Sequence, residues 1–371
     1  MKKIKPLKIA LIGTYPPPYG GRSVHVQRLK DRLEKVGVEV TVYNLGGEKH
    51  VSKENIISVN KRKWIPFYFF FAKEDVIHYH SSDWKLRVII GLMSLLGKKT
   101  IVSLHSSTSL KDDIMNGCWL RRYLIKFALR HTSFIIVLNP KLKELVLSLG
   151  VKPERVEIIP SFFPPYIREE EIAEIPKDVW EFITKHSPII SANAFRISFY
   201  NGEDLYGIDL CIDLCSILKS IYPQIGFVFC LPEIGDYGYF QEMKKRIVNK
   251  GIENNFMFIT KPCQFYPILM KSDMFVRPTS VDGYGISIAE AIYFKVPAVA
   301  SDVCPRPEGT ILFKSRNIDD FAIKVKNVLD NYDWHKKKLE GLQLQDNFEK
   351  IVKIYQRLAS HKKITGEKWR L

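Results

Sequence analysis

Arg277-Pro278-Thr279-Ser280-Val281-Asp282-Gly283-Tyr284-Gly285-Ile286-Ser287-Ile288-Ala289-Glu290-Ala291 follows the apolar run Met274-Phe275-Val276. The letters read as a strand ending at Arg277, a glycine-rich turn, and a helix from Ile286 with acids before it and inside it. Asp282 and Glu290 have seven residues between them. At the mouth of a helix the amides of Gly283, Tyr284, Gly285 and Ile286 can cradle a diphosphate, helped by the positive end of the helix dipole. An acid before the turn can accept bonds from sugar hydroxyls, and Glu290, one turn into the helix, can reach a ribose diol. An N-capping aspartate with a solvent-facing glutamate behind it would be written in the same letters.

This strand-turn-helix unit belongs to a longer alternation. Before it come strand Ile189–Ala192, helix Ile208–Ile221, strand Gly226–Leu231, helix Tyr239–Asn249 and strand Phe256–Ile259. After it come strand Ala298–Ser301, helix Ile318–Leu329 and a last helix over Asn347–Leu358. An earlier alternation has strands at Lys8–Tyr15, Val38–Leu45, Asp75–His80, Lys99–Leu104 and Ser133–Leu138. Helical patterns lie between most of them, at Ser23–Val36, Trp84–Leu96, Trp119–Arg130 and Lys141–Leu149. Strand-helix alternation predicts parallel sheets covered by helices on both faces. The expected fold class is α/β, with two doubly wound domains facing across a cleft. The first spans residues 1–165. A proline-rich, acidic linker follows at 166–188, then a second domain at 189–345. A C-terminal helix and tail, 346–371, could reach back to the first domain.

Composition narrows the function. With 46% apolar and 26% charged residues, the chain is neither disordered nor fibrous. No apolar run approaches the roughly 20 residues a membrane-spanning helix needs. Lys2, Lys3 and Lys5 look like the start of a secretory signal, but the apolar stretch behind them, Ile9–Ile12, is too short. A soluble cytoplasmic protein is therefore expected. None of the six cysteines forms a C-x-x-C pair, so buried free thiols are expected rather than disulfides or a zinc site. The formal charge is +16, and residues 1–180 carry 30 basic against 18 acidic side chains. Such a field attracts phosphate-rich partners. Helix-turn-helix, zinc-finger and RNA-binding signatures are absent, so nucleic acid is not an expected partner.

In open α/β sheets ligands sit beyond the carboxyl ends of strands, which directs attention to three more loops. The first is Tyr15-Pro16-Pro17-Pro18-Tyr19-Gly20-Gly21-Arg22-Ser23, where Gly20 and Gly21 let backbone amides approach an anion at a helix N-terminus. It lacks the G-x-G-x-x-G dinucleotide fingerprint. The second holds His105, at the end of a strand, where an imidazole can bond a sugar hydroxyl or stabilise charge. His78 and His80 lie on one face of another strand; metal ligation is the weaker reading there, because no third ligand is near in sequence. The third loop carries Arg196, suited to bidentate phosphate contact, and then Tyr206-Gly207-Ile208-Asp209 opening a helix.

Taken together, these segments resemble the retaining glycosyltransferases of family four, of bacterial surface-polysaccharide type, over most of the chain from Lys8 to about Leu358. The resemblance implies the GT-B architecture of two Rossmann-like domains. It implies transfer of a hexose or N-acetylhexosamine from a nucleotide diphosphate, UDP being favoured, to a glycan or lipid-linked acceptor hydroxyl. No cofactor, metal or side-chain nucleophile is implied. Asp282 would hold the transferred sugar and Glu290 the ribose, while Gly283, Tyr284, Gly285 and Ile286 would hold diphosphate and sugar. Gly20 and Gly21 would close over the diphosphate, His105 would lie beside the donor sugar, and Arg196 would stabilise the departing charge. Phe258–Lys261 would border the base, with Lys261 among the donor-binding residues. The chain departs from the family pattern at two positions. Asp282 replaces the usual glutamate, and Tyr206 stands where the family has a lysine that contacts the diphosphate.

Lys61-Arg62-Lys63-Trp64 before the aromatic run Phe67–Phe71, and the mixed basic and apolar helix Trp119–Arg130, are what interfacial contact with an anionic membrane surface requires. Peripheral attachment to the inner leaflet is the matching expectation. Two other readings stand beside it: a nucleotide-sugar epimerase or hydrolase of the same architecture, and a non-catalytic partner that keeps the fold, which the two departures motivate.

Overall fold

Ile9–Ile12 is uninterruptedly apolar, the pattern of a strand covered on both faces, and it forms the middle of β1 (Lys8–Gly13). The computed structural model describes residues 6–46, 55–59, 73–105 and 107–359. The Lys61–Trp64 and Phe67–Phe71 segments, and the tail from residue 360, lie outside them. From β1 the chain continues through α1 (Gly21–Lys35), β2 (Glu39–Asn44), β3 (Ile56–Ser58), β4 (Val76–Tyr79), α2 (Trp84–Leu95) and β5 (Lys99–Leu104). Then come α3 (Ser107–Met115), α4 (Trp119–His131), β6 (Phe134–Val137), α5 (Pro140–Ser148) and β7 (Val156–Ile158).

Among the described residues these strands form one seven-stranded parallel sheet in the order β3-β2-β1-β4-β5-β6-β7. One face is covered by α1 (Val26, Leu29, Leu33) together with the C-terminal helix Phe348–Leu358. That helix buries Phe348, Ile351, Val352, Ile354 and Tyr355. Each fully buried side chain of this size contributes about 1.5–3 kcal/mol, so the helix is an integral part of this core. The other face is covered by α2, α4 and α5.

The second sheet is built from β8 (Ile189–Asn193), β11 (Gly226–Cys230), β12 (Phe256–Ile259), β13 (Met274–Arg277), β14 (Ala298–Ser301) and β15 (Ile311–Phe313). Its order is β12-β11-β8-β13-β14-β15, again parallel throughout. A short antiparallel hairpin, β9 (Phe199–Tyr200) and β10 (Glu203–Asp204), stands apart. Helices α6 (Glu169–Ala173) and α7 (Lys177–Lys185) precede this sheet, and α8 (Ile208–Lys219), α9 (Tyr237–Asn249) and α10 (Tyr266–Leu269) follow within it. The series ends with α11 (Ile286–Tyr293), α12 (Ile318–Asp330) and α13 (Tyr332–Glu340).

The chain divides into two compact units. The first comprises the described residues to Pro17, Arg22–Phe163, and those from Asp346 onward. The second comprises Pro18–Gly21 and Pro164–Gln345. The stretch 166–188, expected as a linker from its prolines and acids, is counted with the second unit. The reason is hydrophobic: Ile175, Val179 and Phe182 are buried in a cluster with Ile189, Val228 and Ile259. Strands β3, β7 and β15, at three residues each, are too short to show a period in sequence.

Candidate functional site

Each sheet reverses its winding once, between β1 and β4 in the first unit and between β8 and β13 in the second. Ligands of open α/β sheets bind beyond the carboxyl ends of the strands flanking such a point. In the second unit those ends are Asn193 and Arg277.

Asp282 is the hub of what gathers there. Its Oδ2 accepts from Arg277 Nε at 2.7 Å and from Arg306 Nη1 at 2.8 Å, and its Oδ1 accepts from the Gly283 amide at 2.8 Å. The two guanidiniums hold its carboxyl well below the usual carboxylate range, overcoming the effect of burial. Arg306 is fixed from behind by the Ser301 carbonyl (3.0 Å), Thr279 Oγ1 (3.0 Å) and Ser301 Oγ (3.1 Å). Arg277 donates through Nη1 to the carbonyl and side-chain oxygen of Asn193, at 3.3 and 3.2 Å. Asn193 in turn donates to Ser287 Oγ at 3.0 Å, tying the end of β8 to the first turn of α11.

Two glycines make this geometry possible. Gly285 enters α11 with φ +90°, and a Cβ there would stand 2.6 Å from Ile288 Cδ1. Gly207 has φ +68°, and a Cβ there would stand 2.5 Å from the Pro278 carbonyl. Only glycine tolerates both the left-handed backbone and the close approach. The second turn is held by Asp204, which accepts from the Tyr206 and Ile208 amides at 2.9 and 2.7 Å. As a result the Tyr206 ring lies beneath the Arg277 guanidinium, 5.6 Å from its carbon.

The first unit has different chemistry at the corresponding point. His25 of α1, His78 and His80 at the end of β4, and His105 after β5 have ring centroids as close as 3.9 Å (His78 and His80) and 5.1 Å (His25 and His105). His78 has both nitrogens engaged, with Tyr355 Oη at 2.6 Å and Ser103 Oγ at 2.8 Å, which removes it from metal ligation. His80 Nδ1 lies 3.2 Å from His105 Nε2, and His105 Nδ1 lies 3.1 Å from Ser161 Oγ. His25 Nδ1 donates to the Ser161 carbonyl at 2.8 Å. Burial lowers all four pKa values, that of His25 to about 4, so the cluster is uncharged at neutral pH.

His25, His80 and His105 each offer a ring nitrogen within 4.8 Å of the others, the one metal-compatible group of at least three such ligands among the described residues. The direct bond between His80 and His105 would have to break for those two nitrogens to ligate together. Beside the cluster, a cavity of about 410 Å³ is lined by Thr14, Arg22, Ser82, Trp84, Lys85 and Arg121, among others.

Comparison with known proteins then decides the family. The model for Glycosyltransferase Family 4 matches residues 19–165, and the model for glycosyl transferases group 1 matches residues 190–342. The chain belongs to the family 4-type GT-B glycosyltransferases. Two curated relatives extend this. One is the lipopolysaccharide core biosynthesis mannosyltransferase LpsB of Rhizobium meliloti, 29% identical over 98 residues, or 26% of this chain and 28% of LpsB. The other is the uncharacterized glycosyltransferase MJ1178 of Methanocaldococcus jannaschii, 22% identical over 95% of this chain and 99% of the relative. Among solved structures, Anabaena HepE in complex with UDP superposes with a TM-score of 0.65 at 15% identity, covering 95% of this chain and 99% of that one.

Within this glycosyltransferase the expected residues fall into two groups. Asp282, Gly283, Gly285, Ile286 and the buried Glu290 sit on one strand-turn-helix unit. Asp282 was expected to hold the transferred sugar, yet both its oxygens are engaged by arginines and an amide. The Gly283 amide, expected to bind diphosphate, is committed to Asp282. Burial raises the phenol of Tyr284 to about 12.

Arg196 lies outside the Asp282 network and makes a half-exposed pair with Glu233 at 3.5 Å. Lys261 donates to the Glu174 carbonyl at 3.1 Å, and Phe258 packs edge-on against Phe229, Phe240 and Phe256. Gly20 and Gly21 are counted with the second unit, where a Cβ on Gly20 would stand 3.1 Å from Phe195. Arg306, Asn193, His25, Ser161 and Tyr355 were not foreseen, nor was a role for Arg277. An arginine closing the otherwise apolar strand Met274–Val276 is the signal that was available. The others come together only through tertiary packing.

Proposed function

We propose that the chain is a retaining glycosyltransferase that moves a hexose or N-acetylhexosamine from a nucleotide diphosphate, UDP first among candidates, to a hydroxyl of a glycan or lipid-linked acceptor. The observation that carries the reading is the charged cluster at the reversal point of the second sheet, tied through Asn193 to the N-terminus of α11. Preorganised guanidiniums and helix amides are what a departing diphosphate requires, and they act without reorganising during the reaction. The crystallised complexes of HepE with UDP and with UDP-glucose support a uridine donor. The match to LpsB supports a surface-glycan acceptor.

In this reading the acceptor hydroxyl attacks the anomeric carbon on the face from which the diphosphate leaves, and a diphosphate oxygen takes its proton. Glu290 holds the ribose. The acceptor lies against the first unit, where Arg22, Lys85 and Arg121 line the cavity and the Arg121 guanidinium stands 5.0 Å from the Trp84 ring. Asp83 and Asp113 line the cavity too, and Arg121 is paired with Asp113, so a cavity of mixed charge with an aromatic wall suits the hydroxyls of a sugar. Peripheral membrane attachment belongs to the same reading. Met115, Trp119, Leu120 and Tyr123 are exposed beside Arg122 and Lys126 on α3 and α4, and no helix among the described residues is long and apolar enough to cross a membrane. Co-sedimentation with anionic vesicles at low salt is expected, and its absence would remove the membrane from the proposal.

The test is incubation with a panel of nucleotide sugars and glycan acceptors, with the product's anomeric proton followed by NMR. Transfer with the donor's anomeric configuration, lost in Glu290→Gln, is the expected result. Donor consumed without acceptor would favour the epimerase or hydrolase, and an inverted product would contradict retention.

A further inference from the structure

Arg277 closes β13 beside Asn193, the last residue of β8, where the second sheet reverses its winding. Its guanidinium is held on three sides. Nε donates to Asp282 Oδ2 at 2.7 Å, Nη1 donates to the two Asn193 oxygens, and the Tyr206 ring lies 5.6 Å away. These bonds use two of its three nitrogens. Nη2 has no partner among the described residues, and it is not sealed from solvent.

Arg306, the other guanidinium on Asp282, differs. Its three nitrogens are all engaged, and its side chain is 1% exposed against 14% for Arg277. One cation of the pair is consumed by structure. The other is oriented and keeps a donor in reserve. Asn193 also binds Ser287 in the first turn of α11, so that donor belongs to the same bonded frame as a helix N-terminus.

We propose that Arg277 is a phosphate-binding residue of the second unit, giving Nη2 to the diphosphate of the nucleotide-sugar donor, with Asp282, Asn193 and Tyr206 as its positioning residues. The inference rests on the nucleotide-sugar reading above. A planar guanidinium locked by three neighbours loses little side-chain entropy when it takes up a phosphate oxygen. The arrangement also accounts for the tyrosine at position 206. The charge expected there from a lysine is supplied from the end of β13, and the aromatic ring serves as the platform on which the guanidinium rests.

The experiment is calorimetric titration of wild type, Arg277→Met, Arg277→Lys and the double variant Arg277→Met/Tyr206→Lys. The ligands are UDP, GDP, ADP and dTDP, each paired with its nucleoside, and ligand-free melting is recorded alongside. For the preferred nucleotide, Arg277→Met should weaken the diphosphate about 10- to 100-fold while leaving the nucleoside unchanged. Arg277→Lys should give a smaller loss, again confined to the diphosphate, and it supplies the test if the methionine variant does not fold. The added lysine at 206 should restore part of the affinity. Unchanged diphosphate affinity, or equal losses for diphosphate and nucleoside, would overturn the role of Arg277. Binding of no nucleotide by the wild type would instead overturn the donor reading itself.

Discussion

At the point of reversed winding the first unit gathers four imidazoles and keeps them uncharged, whereas the second gathers two guanidiniums and a carboxylate and keeps them charged. The strand order is the same in both: three strands to one side of the break, then the remainder in sequence to the other. Topology therefore sets the place and the side chains set the chemistry. Opposite charges brought together in the second unit lower the cost of burial by pairing. In the first unit no carboxylate among the described residues pairs with the histidines, so desolvation wins and they remain neutral. A charged site suits an anionic donor. A neutral hydrogen-bonding site suits sugar hydroxyls.

The largest expected effect comes from removing the hub. Asp282→Ala leaves Arg306 sealed without its counter-ion, and breaking a buried pair in this way costs about 3–5 kcal/mol. Calorimetric unfolding should show the second unit melting earlier while the first is unmoved. A variant as stable as wild type would mean the arginines find other partners.

Acid separates the units next. His25 binds its proton at about 4 in the folded chain and near 6.5 when unfolded. Below pH 6.5 the unfolded state therefore binds more protons, and stability falls until about pH 4, by on the order of 3 kcal/mol from this residue alone. His78, His80 and His105 act in the same direction. Asp282 is shifted in the same direction but from a lower ordinary value, so its loss falls in a more acid window. Its contribution persists through this window and is lost only as pH falls below the ordinary value of 3.8. Unfolding followed from pH 7 to 4 should therefore begin in the first unit, and simultaneous loss of both would erase the contrast.

Tyr355→Phe sharpens it from the imidazole side. The variant leaves His78 Nδ1 sealed without a partner, which costs about 1–3 kcal/mol, measurable by urea unfolding. Arg196→Ala should give the smallest change in stability, under about 1 kcal/mol, because its pair with Glu233 is half exposed. A donor KM raised by the same substitution would place Arg196 beside the charged cluster in function.

Much of this was legible in the sequence. The strands Lys99–Leu104 and Met274–Arg277 coincide with their expected bounds because each has a short apolar stretch, Ile101-Val102 and Met274–Val276, set off by polar or charged residues. The turn Gly283–Ile286 could be read because glycine is required where φ is positive. The cation pair was not legible. Arg277 and Arg306 are 29 positions apart, and only the parallel register of β13 and β14 brings their loops to one carboxylate. The imidazole cluster was hidden for the same reason, since His25 meets His105 only because α1 packs back over the ends of β1 and β4. The burial of Ile175, Val179 and Phe182 within 166–188 was not legible, because prolines mark turns whether or not the residues between them are buried.

Hydrogen exchange followed by mass spectrometry, with and without saturating UDP, tests the central claim most directly: that the charged reversal point of the second unit holds the donor's diphosphate. The strongest added protection should fall on residues 193–196 and 277–290, with the segments around His25 and His105 changing least. Protection centred on the histidine segments, or none at 277–290 despite measured binding, would contradict it.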